Sequence, residues 1–418
     1  MAAVLAAVLA VLAGGCSSGS APDSRSELRG QKLEVAAVWS GVEQRHFQLV
    51  LRAFTRQTGV DISYASVGYS VPSFLQARLA AGHPPDVAFL PQPGLLRTFA
   101  DEHVLVPLGQ IAGSAVDDNY DPAWRQLGSV DGTLYGVWFK AANKSLIWYN
   151  EGIFERAGVA PPTDIAGLLA LERKLAITGS PAFAIGAGDG WTLADWFSNF
   201  YLQLAAHRIP WTDPSVTATL RLMARVLDPR VIAGGPQAAI RTSYPESVGQ
   251  TFARRPMAAM VFEGDFVAGV INGETRARLG VDADAFPFPA AGEQGGPMVV
   301  AGGDAAVLMR RSPAGEALIR FLASPQAAAI WAAQGGFISP NTNLGVSVYP
   351  DPITRSIASG LLQAGDNFRF SLSDLVPASF GGTEGHGMRA ILQQFLVSRD
   401  VGGTAVRLEE AAGKASGP

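Results

Sequence analysis

The chain has 418 residues, 48% of them hydrophobic and 16% charged, with a net charge of −4 at pH 7. That length supports more than one core, and that balance belongs to a globular protein rather than a disordered one. Lysine and arginine form no run, which argues against nucleic acid as a partner, because phosphate contacts need clustered cations.

Residues 1–15, MAAVLAAVLAVLAGG, are an apolar run ending in small residues directly before Cys16, the single cysteine. The run is short for a bilayer span and suits the h-region of a signal peptide. Leu12–Cys16 (LAGGC) resembles a bacterial lipobox, with Ala13 where such motifs more often carry leucine and no positive residues ahead of it. The resemblance implies lipidation of Cys16 and a soluble body held outside the cytoplasmic membrane by a lipid anchor. Ser17–Ser26 (SSGSAPDSRS) has the composition of a flexible tether. One cysteine leaves no intrachain disulfide.

Gln31–Trp39 reads as a first strand. Glu43–Thr58 carries Phe47, Val50, Leu51 and Phe54 at helical spacing and stops at Gly59. Val60–Ser66 is a second strand, Pro72–Ala81 a second helix, and Asp86–Leu90 a third strand. This β-α-β-α-β order predicts parallel strands with helices on both faces. Ligands of such sheets sit beyond the carboxyl ends of the strands, here Ser40–Glu43, Gly68–Ser70 and Pro91–Gln92. Gly132–Asn150 then reads as strand, short irregular segment over Lys140–Lys144, and strand. Two strands meeting at a kink suit a crossing between lobes; a hairpin inside one domain is the alternative. Asp164–Thr178, Thr192–Leu204, Ser215–Val226, Ala314–Ala323, Gln326–Gln334 and Gly385–Ser398 follow as helices.

Several segments together carry a resemblance. They are QTGVDI at 57–62, GHPPDVAFLPQPGLL at 82–96, LVPL at 105–108 and the 131–150 stretch. Trp191 with Asp195–Trp196, Phe262–Phe266 (FEGDF), Phe286–Pro289, Val300–Asp304, Gly335–Asn341, Phe368–Phe370 and Ser373–Leu375 continue it. From about Lys32 onward the chain resembles the extracellular solute-binding proteins of sugar-importing ABC transporters, and within them the α-glucoside-binding branch. The resemblance implies a periplasmic-binding-protein type II fold, two α/β lobes joined by a hinge with a ligand cleft between them. Signal and tether would occupy 1–30, the first lobe 31–139 plus 298–340, and the second 140–297 plus 341–418. Crossings are expected near Phe139–Lys140, near Gly296–Pro297 and after Phe337.

A sugar needs aromatic faces for its C–H patches and planar polar groups for its hydroxyls. Trp191, on a loop after Gly188-Asp189-Gly190, is the first aromatic candidate, with a lid over the core as its alternative. Asp195 lies one turn on. Phe266 serves ligand or core, whereas Trp39, Trp124, Trp148, Trp211 and Trp331 read as packing. Glu43, at a helix start, serves ligand or the helix dipole. Gln92 reads hydroxyls or caps its helix. Lys140, at the hinge, bridges to ligand or to a carboxylate. Glu263 and Asp265 flank Gly264; Gly303 and Asp304 let backbone approach a guest closely; and Arg369 is a late contact from the second lobe or an interlobe ion pair.

Signs of catalysis are weak. Glu263 and Asp265, at i and i+2, need not converge as a glycosidase pair. The five histidines lack metal-ligand spacing, and no nucleophile elbow or phosphate loop occurs in a strand–helix context. The expectation is a monomeric binding protein, without cofactor or metal, that hands a neutral glucoside or oligosaccharide to ABC permease subunits. A glucosylglycerol-type, cyclitol or phosphodiester solute, a cell-wall glycan hydrolase and an adaptor for a membrane sensor remain as alternatives.

Overall fold

The computed structural model describes residues 27–68, 70–204, 211, 213–291, 299–364, 368–382 and 385–415. Cys16, the tether and the crossing expected at Gly296–Pro297 lie outside them. No helix of the described residues is long and apolar enough to cross a membrane.

The chain opens with β1 (Lys32–Ala37), α1 (Gly41–Thr58), β2 (Asp61–Ser66), α2 (Val71–Ala80), β3 (Val87–Leu90) and α3 (Pro93–Asp101). β1 pairs in parallel with both β2 and β3, as the alternating pattern predicts. Helix α1 buries Phe47, Val50, Leu51 and Phe54 on the sheet, and Gly59 ends it at φ 75°. A left-handed cap of that kind suits glycine.

β4 (Gly136–Asn143) and β5 (Leu146–Asn150) come next. Then follow α4 (Ile165–Ile177), β6 (Phe183–Ala184), α5 (Trp191–Leu204), α6 (Pro214–Val226), α7 (Tyr244–Phe252), β7 (Met260–Phe262), α8 (Val267–Glu274) and β8 (Ala283–Pro287). β9 (Val299–Leu308), α9 (Pro313–Leu322), α10 (Pro325–Ala332), β10 (Phe368–Phe370), α11 (Leu372–Leu375), α12 (Gly387–Ser398) and α13 (Val401–Ala415) complete the chain. Asp164 is the N-cap of α4, accepting from the Gly167 amide at 2.7 Å.

The first sheet runs β10-β9-β3-β1-β2, with β4 also paired to β9. The second runs β8-β5-β7-β6. Side chains of the second sheet alternate between two cores. Ile147, Tyr149, Met260 and Phe262 face one core, closed by α4, α5, α6 and α12. Trp148 and Val261 face the larger core, which continues to the first sheet. The period of two along a strand makes this possible.

Two expectations fail here. Lys140–Asn143 is not irregular: it extends β4, because β9 pairs with it from Ala301 to Asp304. Ala141 also donates to the Ile338 carbonyl at 2.8 Å. Backbone pairing thus overrides the polar side chains. The chain leaves the first sheet at Lys144–Ser145, where the Lys144 amide donates to Val300 at 2.7 Å. The lobe division also differs at the C-terminal end. Tyr349, Ile357, Ala358, Leu361 and Phe370 pack in the larger core, and β10 pairs with β9. Leu372 is the first residue after Phe337 to pack in the second core, while Leu375 and Ala378 still contact the larger one.

Candidate functional site

A cavity of about 330 Å³ opens at the carboxyl ends of the first sheet. Its walls include the segments that follow β1 (Val38–Glu43), β2 (Gly68) and β3 (Pro91, Gln92), the positions that parallel-strand geometry singles out. Trp191, Tyr244 and Phe266, from segments beside the second sheet, form the opposite wall. Lys140, Lys144 and Asp374 lie where the two meet.

The polar wall is built on two lysines. β4 delivers Lys140, whose ammonium pairs with Glu43 at the start of α1. It also lies 5.4 Å from the Trp331 ring centre, 5.5 Å from Phe266 and 6.0 Å from Trp39. A desolvated cation gains from such ring faces. Burial pulls the Lys140 pKa down, but the carboxylates of Glu43, Asp304 and Asp265 outweigh it and hold the pKa above the usual value. Lys144, at the sheet switch, reaches Asp374 at 3.1 Å and Asp195 at 3.2 Å, and sits 5.8 Å from the Trp191 ring centre. Burial opposes its charge too, and Asp195 and Asp374 again prevail.

The carboxylates show the same contest with opposite sign. Burial pushes Asp304 up to about 6 and Asp265 to about 7, in each case against the pull of Lys140. It raises Asp195 against Lys144, and it raises Glu263 well above the usual range, with Asp195 adding to the effect. Burying charge is costly unless paired, so this cluster holds together only as a whole.

The aromatic wall is compact. Ring centres of Trp191 and Tyr244 are 5.5 Å apart, Tyr244 and Phe266 5.2 Å, and Trp191 and Phe266 6.0 Å. Gly190, at φ 72°, turns the chain into α5, so Trp191 is the helix's first residue rather than a loop residue. Asp189 accepts from the Tyr244 amide at 2.6 Å and ties α7 to that turn.

Of the residues singled out from sequence, Glu43, Gln92, Lys140, Trp191, Phe266, Gly303 and Asp304 line the cavity. Trp39, read as packing, lines it while staying 1% exposed. Asp195, Glu263 and Asp265 lie behind the lining. Asp195 steadies Lys144 and accepts from the Ser371 hydroxyl at 2.7 Å; Asp265 accepts from the Asn143 amide at 2.7 Å. Arg369 is a correction. It is exposed on β10 of the first sheet, outside the cavity, and donates to the Phe368 carbonyl at 2.7 Å. Gly303 serves strand pairing as much as any guest, since a Cβ there would stand 2.4 Å from the Lys140 carbonyl. Sequence reasoning missed Lys144, Asp374, Asp189, Tyr244, Glu274 and Arg389. Lys144, Asp189 and Asp374 lie inside stretches singled out above; Tyr244, Glu274 and Arg389 carry no signal of their own.

Comparison with known proteins identifies the family and the fold. The profile of the bacterial extracellular solute-binding protein family matches residues 40–329. The chain belongs to that family. A family member from Rhizobium meliloti, the alpha-glucosides-binding periplasmic protein AglE, is 32% identical over 85% of this chain and 82% of its own length. The osmoprotective compounds-binding protein GgtB of Synechocystis is 31% identical, over 86% and 88% respectively. Among solved structures, the solute receptor AcbH superposes with a TM-score of 0.80 at 19% identity, covering 92% of this chain and 98% of its own. The GacH receptor of Streptomyces glaucescens gives 0.73 at 17%, over 92% and 98%. The fold is the periplasmic-binding-protein type II fold.

Proposed function

We propose that the protein is the substrate-binding component of an ABC importer and captures a neutral α-glucoside or small oligosaccharide. One observation carries the reading: an aromatic wall of Trp191, Tyr244 and Phe266 faces a row of buried, mutually neutralised charges and the Gln92 amide across one cavity. Ring faces cover apolar C–H surface; carboxylates and ammonium groups serve hydroxyls through charge-assisted hydrogen bonds. AglE is an α-glucoside-binding protein and GacH is known in complex with acarbose, and both support the same reading. Capture works by approach of the two walls, whose closed arrangement the ligand favours. The chain then hands the solute to permease subunits on the outer face of the membrane, as a monomer held there by lipid on Cys16.

A phosphodiester guest fits less well. Glu43, Asp189, Glu274, Asp304 and Asp374 line the cavity against Lys140, Lys144 and Arg389, and both lysines already pair with carboxylates. Hydrolysis is not favoured either, because Glu263 and Asp265 lie behind the lining rather than across a bond-sized gap. The test is a thermal-shift and calorimetric screen of the mature protein against α-linked glucosides, oligosaccharides and glucosylglycerol. Saturable binding of an α-glucoside without product release is expected. Indifference to every sugar, or turnover of one, would overturn the reading.

A further inference from the structure

A second cavity, of about 840 Å³, lies among α4, α6 and the segment joining α12 to α13, lined by none of the residues of the first. Five arginines line it: Arg173 of α4, Arg221 and Arg225 of α6, Arg230 and Arg399; the acids there are Glu172 and Asp228. Two of the five are committed. Arg230 pairs with Asp228 at 2.8 Å, and Arg399 donates to the carbonyls of Ala224 at 2.6 Å and Leu227 at 3.0 Å. Arg173, Arg221 and Arg225 form no ion pair among the described residues. Glu172 is 4% exposed, and its Oε1 has no hydrogen-bond partner among them. A buried polar atom left unmatched costs stability, so its persistence beside a cavity points to a ligand.

We propose that this cavity is a second binding site, specific for an organic phosphate on a small polyol. Guanidinium groups match phosphate oxygens through paired N–H donors. Glu172 supplies one more donor when its carboxyl carries a proton. Burial and Asp228 favour that form against Arg173 and Arg225, lifting the carboxyl to about 8. Leu169, Ala176, Val231 and Val401 give the polyol carbon skeleton an apolar side to rest on. The cavity exceeds one phosphate several times over, so the group arrives as part of a larger molecule. A soluble glycerol phosphate and a phosphoglycerol lipid headgroup share that chemistry.

The proposal does not depend on the solute in the first cavity. The experiment titrates sn-glycerol 3-phosphate by calorimetry and, in a separate arm, measures co-sedimentation with phosphatidylglycerol vesicles against phosphatidylcholine vesicles. Both arms compare wild type with Arg173→Ala/Arg225→Ala and with Trp191→Ala, a variant of the first cavity. Saturable binding in either arm, weakened at least about tenfold by the double arginine change and kept by Trp191→Ala, is expected. Binding in the soluble arm identifies a free solute; binding in the vesicle arm alone identifies a headgroup. No binding in either arm overturns the proposal, as does binding that survives the double arginine change or is lost with Trp191. Arg173→Lys/Arg225→Lys keeps the charge should the alanine variant misfold, and undiminished binding by that variant counts against guanidinium recognition.

Discussion

Gly273→Ala is the sharpest probe of how the two walls meet. Gly273 is the penultimate residue of α8, which follows β7 of the second sheet, and its neighbour Val42 opens α1 beyond β1 of the first. A Cβ at 273 would stand 2.3 Å from one Val42 methyl and 3.0 Å from the other. Carbon pairs prefer about 3.5–4.0 Å, so the overlap exceeds an ångström and something must yield. Overpacking of this kind costs about 1–3 kcal/mol. Alanine itself favours a helix by up to about 1 kcal/mol over glycine. If the walls part when the site empties, the clash belongs to the closed form alone. Ligand affinity should then fall by about 5- to 150-fold, while melting of the unliganded protein holds or rises slightly. Calorimetry with the glucoside found by screening reads the first quantity, and differential scanning fluorimetry the second. Val42→Ala in the same chain should restore affinity. An unliganded melting temperature that drops in step with affinity, or a double variant that stays weak, would refute the idea that α8 and α1 touch only on closure.

Three other outcomes follow from the same contacts. Lys140→Met removes the cation from among Glu43, Asp304 and Asp265 and should cost about 3–5 kcal/mol in urea unfolding, part of it recovered by adding Glu43→Gln. Gly382→Ala would place a Cβ 2.2 Å from Gln92 Oε1; the amide can swing away, so stability should change little while ligand affinity drops several-fold. In the folded chain Glu172 keeps its proton up to about pH 8, whereas an unfolded carboxyl loses it near the ordinary 4.5. Stability therefore falls across that window as pH rises, by up to about 1.4 kcal/mol per pH unit. Glu172→Gln should raise the melting temperature more at pH 8 than at pH 5, and an equal gain at both would show that the carboxyl is not the cause.

Local rules are enough for the three parallel strands β1, β2 and β3 of the first sheet. The helix spacing of Phe47, Val50, Leu51 and Phe54, the stop at Gly59 and the parallel pairing of β1 with β2 and β3 are all visible as periodicity and turn chemistry. The carboxyl-end rule then places one wall of the cavity, at Ser40–Glu43, Gly68 and Pro91–Gln92. The second wall was less legible because it depends on long-range pairing. Tyr244 reaches the site through Asp189, 55 residues away in sequence, and Lys144 finds Asp374 across 230. Lys140–Asn143 misled for a related reason: a polar run becomes strand when β9 lies beside it, and nothing in the run itself announces β9. Arg369 reads as a cleft residue from its motif, yet β10 pairs with the first residues of β9 and leaves that side chain exposed.

The pairing of the two lysines bears on which guests the cavity admits. Each ammonium is nearly dry and already matched, Lys140 by Glu43 and Lys144 by Asp195 and Asp374. An anion would have to pull a lysine from its carboxylate, and the carboxylate left behind would then bear the full cost of burial. A hydroxyl asks for no such exchange. It donates to a carboxylate oxygen and accepts from an ammonium proton while the ion pair stays intact, and the partners are already fixed before it arrives. The side-chain entropy that an exposed, mobile charge would lose on binding is thus spent during folding. The same arrangement gives Asp195 and Asp265 a part without lining the cavity: against the effect of burial, the Asp265 carboxylate favours the charged form of Lys140 and the Asp195 carboxylate that of Lys144.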